Sequence, residues 1–158
     1  MRYKPVPDPA APDALDTARN AVPLVPADRE ACEHRLADRL DLADPEAARG
    51  WLTFLLALGL ARETASGVAR ARDPPEDVAA AFRERIYGVD EMLAVLDAGP
   101  VTADAACDRF ADHVPHWERH RYPEGWEAVW RERVRRLLDW AVRFDLAERT
   151  DDGYRRVS

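Results

Sequence analysis

The chain has 158 residues, of which 47% are hydrophobic, and its 30 acidic groups against 23 basic ones give a net charge of −7. That hydrophobic share excludes general disorder, and the length suits one domain or two small ones. Lys4 is the only lysine, so the other 22 basic residues are arginines. Such a composition is expected of a halophilic protein, where acidity reports the solvent as much as the partner and a low isoelectric point does not argue against nucleic acid.

No apolar run approaches the roughly 18 residues of a membrane span, and the N-terminus has no signal-peptide core. A cytoplasmic protein with no membrane contact is expected. Cys32 and Cys107 lie far apart inside helical patterns, which predicts two small buried thiols rather than a disulfide.

Residues 1–12 carry prolines at 5, 7, 9 and 12. Proline fixes φ and removes an amide donor, so this segment reads as an extended, mobile arm. Asp13–Val22 suits a helix. Val22–Pro26 is apolar and proline-bounded, which suits a short strand. Asp28 then stands as N-cap of a helix with Cys32, Leu36 and Leu40 at a spacing of four. Asp44-Pro45 opens the next helix, with Ala48, Trp51, Leu52, Leu55 and Leu56 inward and Gly59 ending it in the left-handed region. Leu60–Thr64 and Val68–Arg72 read as strands around Ala65-Ser66-Gly67. Glu76–Tyr87 reads as a connector helix packing between two halves.

The second half repeats the first. Helix Val89–Leu96 opens it, Gly99-Pro100-Val101 takes the place of the earlier strand, and Thr102 stands where Asp28 stood. Phe110–Val114 matches Leu36–Leu40 at an offset of 74, and Leu146 matches Leu60 at an offset of 86. The later copy therefore carries twelve extra residues, around 115–126. A long helix follows, with Trp126, Trp130, Val134, Leu137, Leu138 and Ala141 inward. A hairpin then turns at Asp151-Asp152-Gly153. The expected fold is mainly α with small β-hairpins. Two units, 13–73 and 88–158, are joined by the connector 74–87.

The run Leu36–Glu63, with Leu36-Ala37, Leu40, Leu42, Trp51-Leu52, Leu55 and Leu58-Gly59-Leu60, resembles the helix–turn–helix–wing segment of winged helix-turn-helix proteins such as the MarR-like regulators. The second copy departs from it by the insertion and by Asp145 in place of the glycine. The resemblance implies a transcriptional regulator that binds double-stranded DNA. Its third helix would enter the major groove and its wing would rest on phosphates.

Net charge by segment is −2 for residues 1–43, 0 for 44–73, −7 for 74–128 and +2 for 129–158. The helix–wing segments are thus the least acidic. In the second unit, Arg131, Arg133, Arg135 and Arg136 on the helix and Arg149, Arg155 and Arg156 in the wing are the candidate contacts. In the first unit they are Arg49, Arg62 and Arg70, beside Asp44 and Glu46, whose charge repels phosphate. The opposing reading is a solvated helix face neutralised by the i,i+4 pairs Glu132–Arg136, Arg135–Asp139 and Asp139–Arg143. Under that reading the chain is a protein-interaction or assembly module, with a protein partner or a homodimer. His113, His116 and His120 have ligand-like spacing, but Pro115 interrupts them and no metal is expected. Trp117, Tyr122, Trp126 and Trp130 suit core packing, a partner patch or a base-stacking surface. No nucleophile–base pair, glycine-rich phosphate loop or HExxH occurs, so no enzyme and no cofactor are expected.

Overall fold

A computed structural model describes residues 6–9, 11–121 and 123–157. The chain divides after Ile86 into two compact units. The fold is mainly α, with two small antiparallel hairpins.

The first unit contains α1 (Ala14–Ala21), α2 (Arg29–Arg39), α3 (Pro45–Leu58), β1 (Ala61–Thr64), β2 (Gly67–Arg70) and α4 (Val78–Arg85). Asp44 caps α3 by accepting a bond from the Glu46 amide at 3.0 Å, and Pro45 fills the first turn, where no amide is needed. Asp28 occupies the cap position of α2, but its side chain accepts no bond from that helix. The end of α3 is set by Gly59 at φ 79°, with the Leu60 amide donating to Leu55 O at 2.9 Å. Leu36, Leu52, Phe54, Leu55 and Leu58 are fully buried. Phe54 meets Trp51 and Phe82 edge-on, each at 6.3 Å between centroids. The second of these contacts seats α4 on α3. Burying side chains of this size contributes about 1.5–3 kcal/mol each, which makes this cluster the main support of the unit.

The second unit contains α5 (Val89–Val95), α6 (Ala103–Phe110), α7 (His116–Arg121), α8 (Trp126–Arg143), β3 (Ala147–Thr150) and β4 (Gly153–Arg156). Thr102 caps α6 by accepting from the Ala105 amide at 3.1 Å. Phe110 and Trp130 stack at 6.0 Å, and Val134, Leu137, Leu138 and Trp140 continue the buried face of α8. Trp126 is only half-buried. It lies at the free end of α8, and the Arg119 guanidinium covers its ring at 4.4 Å.

The hairpins are alike to the residue. Ala61 pairs with Arg70 and Thr64 with Gly67; Ala147 pairs with Arg156 and Thr150 with Gly153. In each turn the threonine hydroxyl donates to the glycine carbonyl, at 3.0 Å for Thr64 and 3.3 Å for Thr150. Each hairpin is also met by one residue from the loop before the second helix of its unit. Ala27 bridges Val68, and Val101 bridges Tyr154. The strand expected over Val22–Pro26 is reduced to that bridge and to Pro23 O accepting from the Arg70 amide at 2.8 Å. Its prolines lack donors, and Leu24 and Val25 stand 69% and 75% exposed. Gly67 and Gly153 make the approach possible. A Cβ on either would lie 2.3 Å from the carbonyl oxygen of Ala27 or Val101.

Of the proline-rich arm, residues 1–5 and 10 lie outside the described residues; Val6, Pro7 and Pro9 are buried. Both cysteines are free and buried, and burial pushes each thiol above its ordinary range.

Candidate nucleic-acid interface

Arginine is planar and permanently charged, so its place in a site is decided by what its guanidinium already touches. On α8, Arg135 donates to Asp104 Oδ1 at 2.9 Å, and Arg131 pairs with Asp108 and, at 3.7 Å, with Asp104. Both partners lie on α6. Arg136 meets Glu132 at 3.1 Å on its own helix. Arg133 turns inward, donating to Tyr87 O at 3.0 Å and lying 5.5 Å from the Trp130 ring.

The wing follows the same rule. Arg149 donates to Asp139 Oδ1 at 2.8 Å, Arg155 pairs with Glu148, and Arg156 reaches Asp97 at 2.8 Å. The carboxylate partners hold the Arg135 and Arg149 guanidinium groups charged to still higher pH than usual, mainly through these hydrogen bonds. Tyr154 OH also donates to Asp139, at 2.9 Å. Burial first, and this carboxylate second, push the phenol above its ordinary range.

In the first unit Arg49 pairs with Glu46 and, at 3.7 Å, with Glu33. Arg70 is a structural residue, donating to Val22 O at 3.1 Å and Asn20 O at 2.9 Å. Arg62 Nε is buried and meets no acceptor among the described residues.

Two of the three i,i+4 pairs expected on α8 are replaced. Arg135 and Asp139 each find a partner on another element, and only Glu132–Arg136 forms as spaced. Both kinds of pair fit a straight helix, and here α6 and the wing place a carboxylate or guanidinium within reach of the same side chains. The acids Asp97, Asp104 and Asp108 carry no sequence signal that separates them from the other acidic residues, and spacing offers Asp139 only to Arg135 and Arg143. Arg29 was also unmarked. It joins Glu63 at 3.1 Å and Thr53 at 3.2 Å.

Among the described residues no group of three or more His, Cys, Asp or Glu is placed to hold a metal ion. His113 ends a short turn and lies 5.7 Å from the Phe110 ring, while His116 and His120 sit on α7. Tyr122 lies outside the described residues.

The candidate face is thus a helix and wing whose arginines, Arg133 excepted, are matched by internal carboxylates. A family model with the description halobacterial double winged helix domain matches residues 1–158. The chain belongs to the halobacterial double winged helix domain family. No curated protein and no solved structure matches it. A halobacterial double winged helix accounts for both the repeat and the acidic, arginine-using composition. In winged-helix terms α3 and α8 are the third helices, and β1–β2 and β3–β4 are the wings. No helix among the described residues is long and apolar enough to cross a membrane.

Proposed function

We propose that this double winged helix protein is a DNA-binding transcriptional regulator of the cytoplasm, not an enzyme, and that α8 with the wing β3–β4 is its contact face. The observation that carries the reading is the exposure of the arginines there. The side chains of Arg135, Arg136, Arg149 and Arg155 are 49%, 38%, 66% and 56% exposed. Ion pairs this exposed are worth about 0–1 kcal/mol, so a phosphate oxygen replaces the carboxylate at small cost. The double-stranded DNA backbone is the partner such a face fits, with the first unit free to dimerise or dock.

A second reading has its own support. Every arginine just named is matched by a carboxylate, and the net charge of −7 repels a polyanion at long range. An assembly module with a protein partner fits that balance.

Titration of pooled genomic duplexes at several potassium chloride concentrations separates the two. DNA binding predicts a saturable signal whose log affinity falls linearly with log salt, by about 0.9 per phosphate contact. The Arg135→Gln, Arg136→Gln double variant should lower that slope by about 2. No saturable binding by the wild-type chain at any salt that keeps it folded overturns the regulator reading.

A further inference from the structure

The twelve-residue insertion of the second unit does more than lengthen a turn. In the first unit α3 starts at Pro45, directly after its cap Asp44. The position equivalent to Asp44 in the second unit is Trp130, already one turn into α8. Between α6 with the turn after it and the extra first turn of α8 lies a cavity of about 190 Å³. Its walls include Phe110, Val114, Trp126 and Trp130, and Asp108, Glu127 and Arg131 stand at its edge.

We propose that this cavity binds a small molecule made of one aromatic ring bearing a short, protonated amine. Size sets the ring count. An apolar cavity of about 150 Å³ takes a benzene, whereas drug-sized ligands need roughly 300 Å³ or more. The walls set the character of the guest. Phe110 and Trp130 are buried and stacked within 20° of parallel, which makes that wall apolar and aromatic. Trp126 offers a second ring, and the Arg119 guanidinium at 4.4 Å holds its orientation.

The rim sets the charge. Arg131 is the one cation at the edge, and its guanidinium is committed to Asp108 and Asp104. Glu127 meets no partner among the described residues. The charged residues lining the cavity therefore sum to a net negative charge, with one carboxylate, Glu127, open to an ammonium group. The Cys107 thiol lines the cavity and donates to Arg131 O at 3.6 Å.

The test is a heteronuclear NMR titration of the full chain with phenethylamine, and with phenylacetate as a control of matched size. It is run at the lowest salt that keeps the chain folded. The expected result is saturable shifts at Val114, Glu127 and the Trp126 and Trp130 indole N–H groups, with phenylacetate binding weaker. Glu127→Gln should narrow the preference for the amine by about two- to fivefold, the range of one exposed ion pair. Trp126→Ala, at a half-buried site, should remove most of the binding while the first unit's signals stay in place. No saturable shift with phenethylamine, shifts mapping elsewhere, equal binding of phenylacetate, or unchanged binding by Trp126→Ala each overturn the proposal.

Discussion

Thr53 and Asp139 hold equivalent places, 86 residues apart, and each ties the long helix of its unit to the wing by a different chemistry. In the first unit Arg29 joins Thr53 and the wing residue Glu63, at 3.2 and 3.1 Å. In the second, Asp139 itself takes the wing residue Arg149 at 2.8 Å and Tyr154 at 2.9 Å. Glu63 and Arg149 are also equivalent, so the charge at this one wing position is reversed between the copies, and it is met by Arg29 of α2 in the first unit and by Asp139 of α8 in the second.

Replacing Asp139 by Asn should therefore loosen the second wing. Arg149 is 66% exposed, so solvent screening holds the loss of unfolding free energy to about 0.5–1 kcal/mol, read by urea titration. The same variant releases a cation at the candidate DNA face. Its affinity for duplex should rise relative to the wild-type chain, and an unchanged affinity would mean that Arg149 contacts no phosphate.

Tyr154 gives the second unit a sensitivity to alkaline pH. Its folded pKa is raised, from burial first and Asp139 second, above an ordinary value of 10.0. The folded state thus keeps a proton that the unfolded chain releases. The stabilisation is fully present below pH 10.0 and is lost as pH rises through the folded value. Tyr154→Phe should flatten the fall in stability above that pH while costing about 0.5–1.5 kcal/mol at neutrality through the lost hydrogen bond.

Asp145 sits at φ 59° where the first unit has Gly59 at φ 79°. Both helices end with the same bond, Leu60 N to Leu55 O at 2.9 Å and Leu146 N to Ala141 O at 2.8 Å. A side chain in the left-handed region is strained, so Asp145→Gly should stabilise the second unit by roughly 0.5–1 kcal/mol after the added chain entropy is counted. Gly59→Ala should act in the opposite direction and more strongly, because its Cβ would lie 2.8 Å from Arg85 Nη1 and 3.3 Å from Pro75 Cδ. Thermal melts of the two variants give the comparison.

Gly153→Ala should detach the wing from the loop before α6. The new Cβ would press on Val101 O from 2.3 Å, where both bridge hydrogen bonds to Tyr154 are made, at 2.9 and 2.8 Å. Losing them and straining a backbone at φ 130° should cost roughly 2 kcal/mol or more. Amide exchange at Tyr154 should quicken far more than exchange in α8.

The repeat was legible in the sequence because it is written in backbone requirements. Gly67 and Gly153, Thr64 and Thr150, and the apolar spacing of the long helices each demand one local geometry wherever they occur. The partners of the arginines were not legible. Arg135 chooses Asp104 over Asp139 because two helices cross there, which spacing along one helix cannot report. Neither was the single-residue bridge at Ala27 legible, since its two hydrogen bonds use backbone atoms and leave no mark in side-chain chemistry. The cavity escaped for a related reason. Trp126 fits the helical apolar pattern of α8, and spacing alone does not report that this first residue of the helix is only half-buried, with Arg119 over its ring.

The matched hairpins make the two copies interchangeable in one respect. Ala61–Arg70 and Ala147–Arg156 have the same length, register and turn, and each presents one glycine beneath a waiting carbonyl. Either ribbon can be grafted into the other framework without recutting its ends. A chimera carrying two copies of the Ala147–Arg156 ribbon, or two of Ala61–Arg70, keeps the framework constant while the order of the Arg–Glu pair before the turn is reversed.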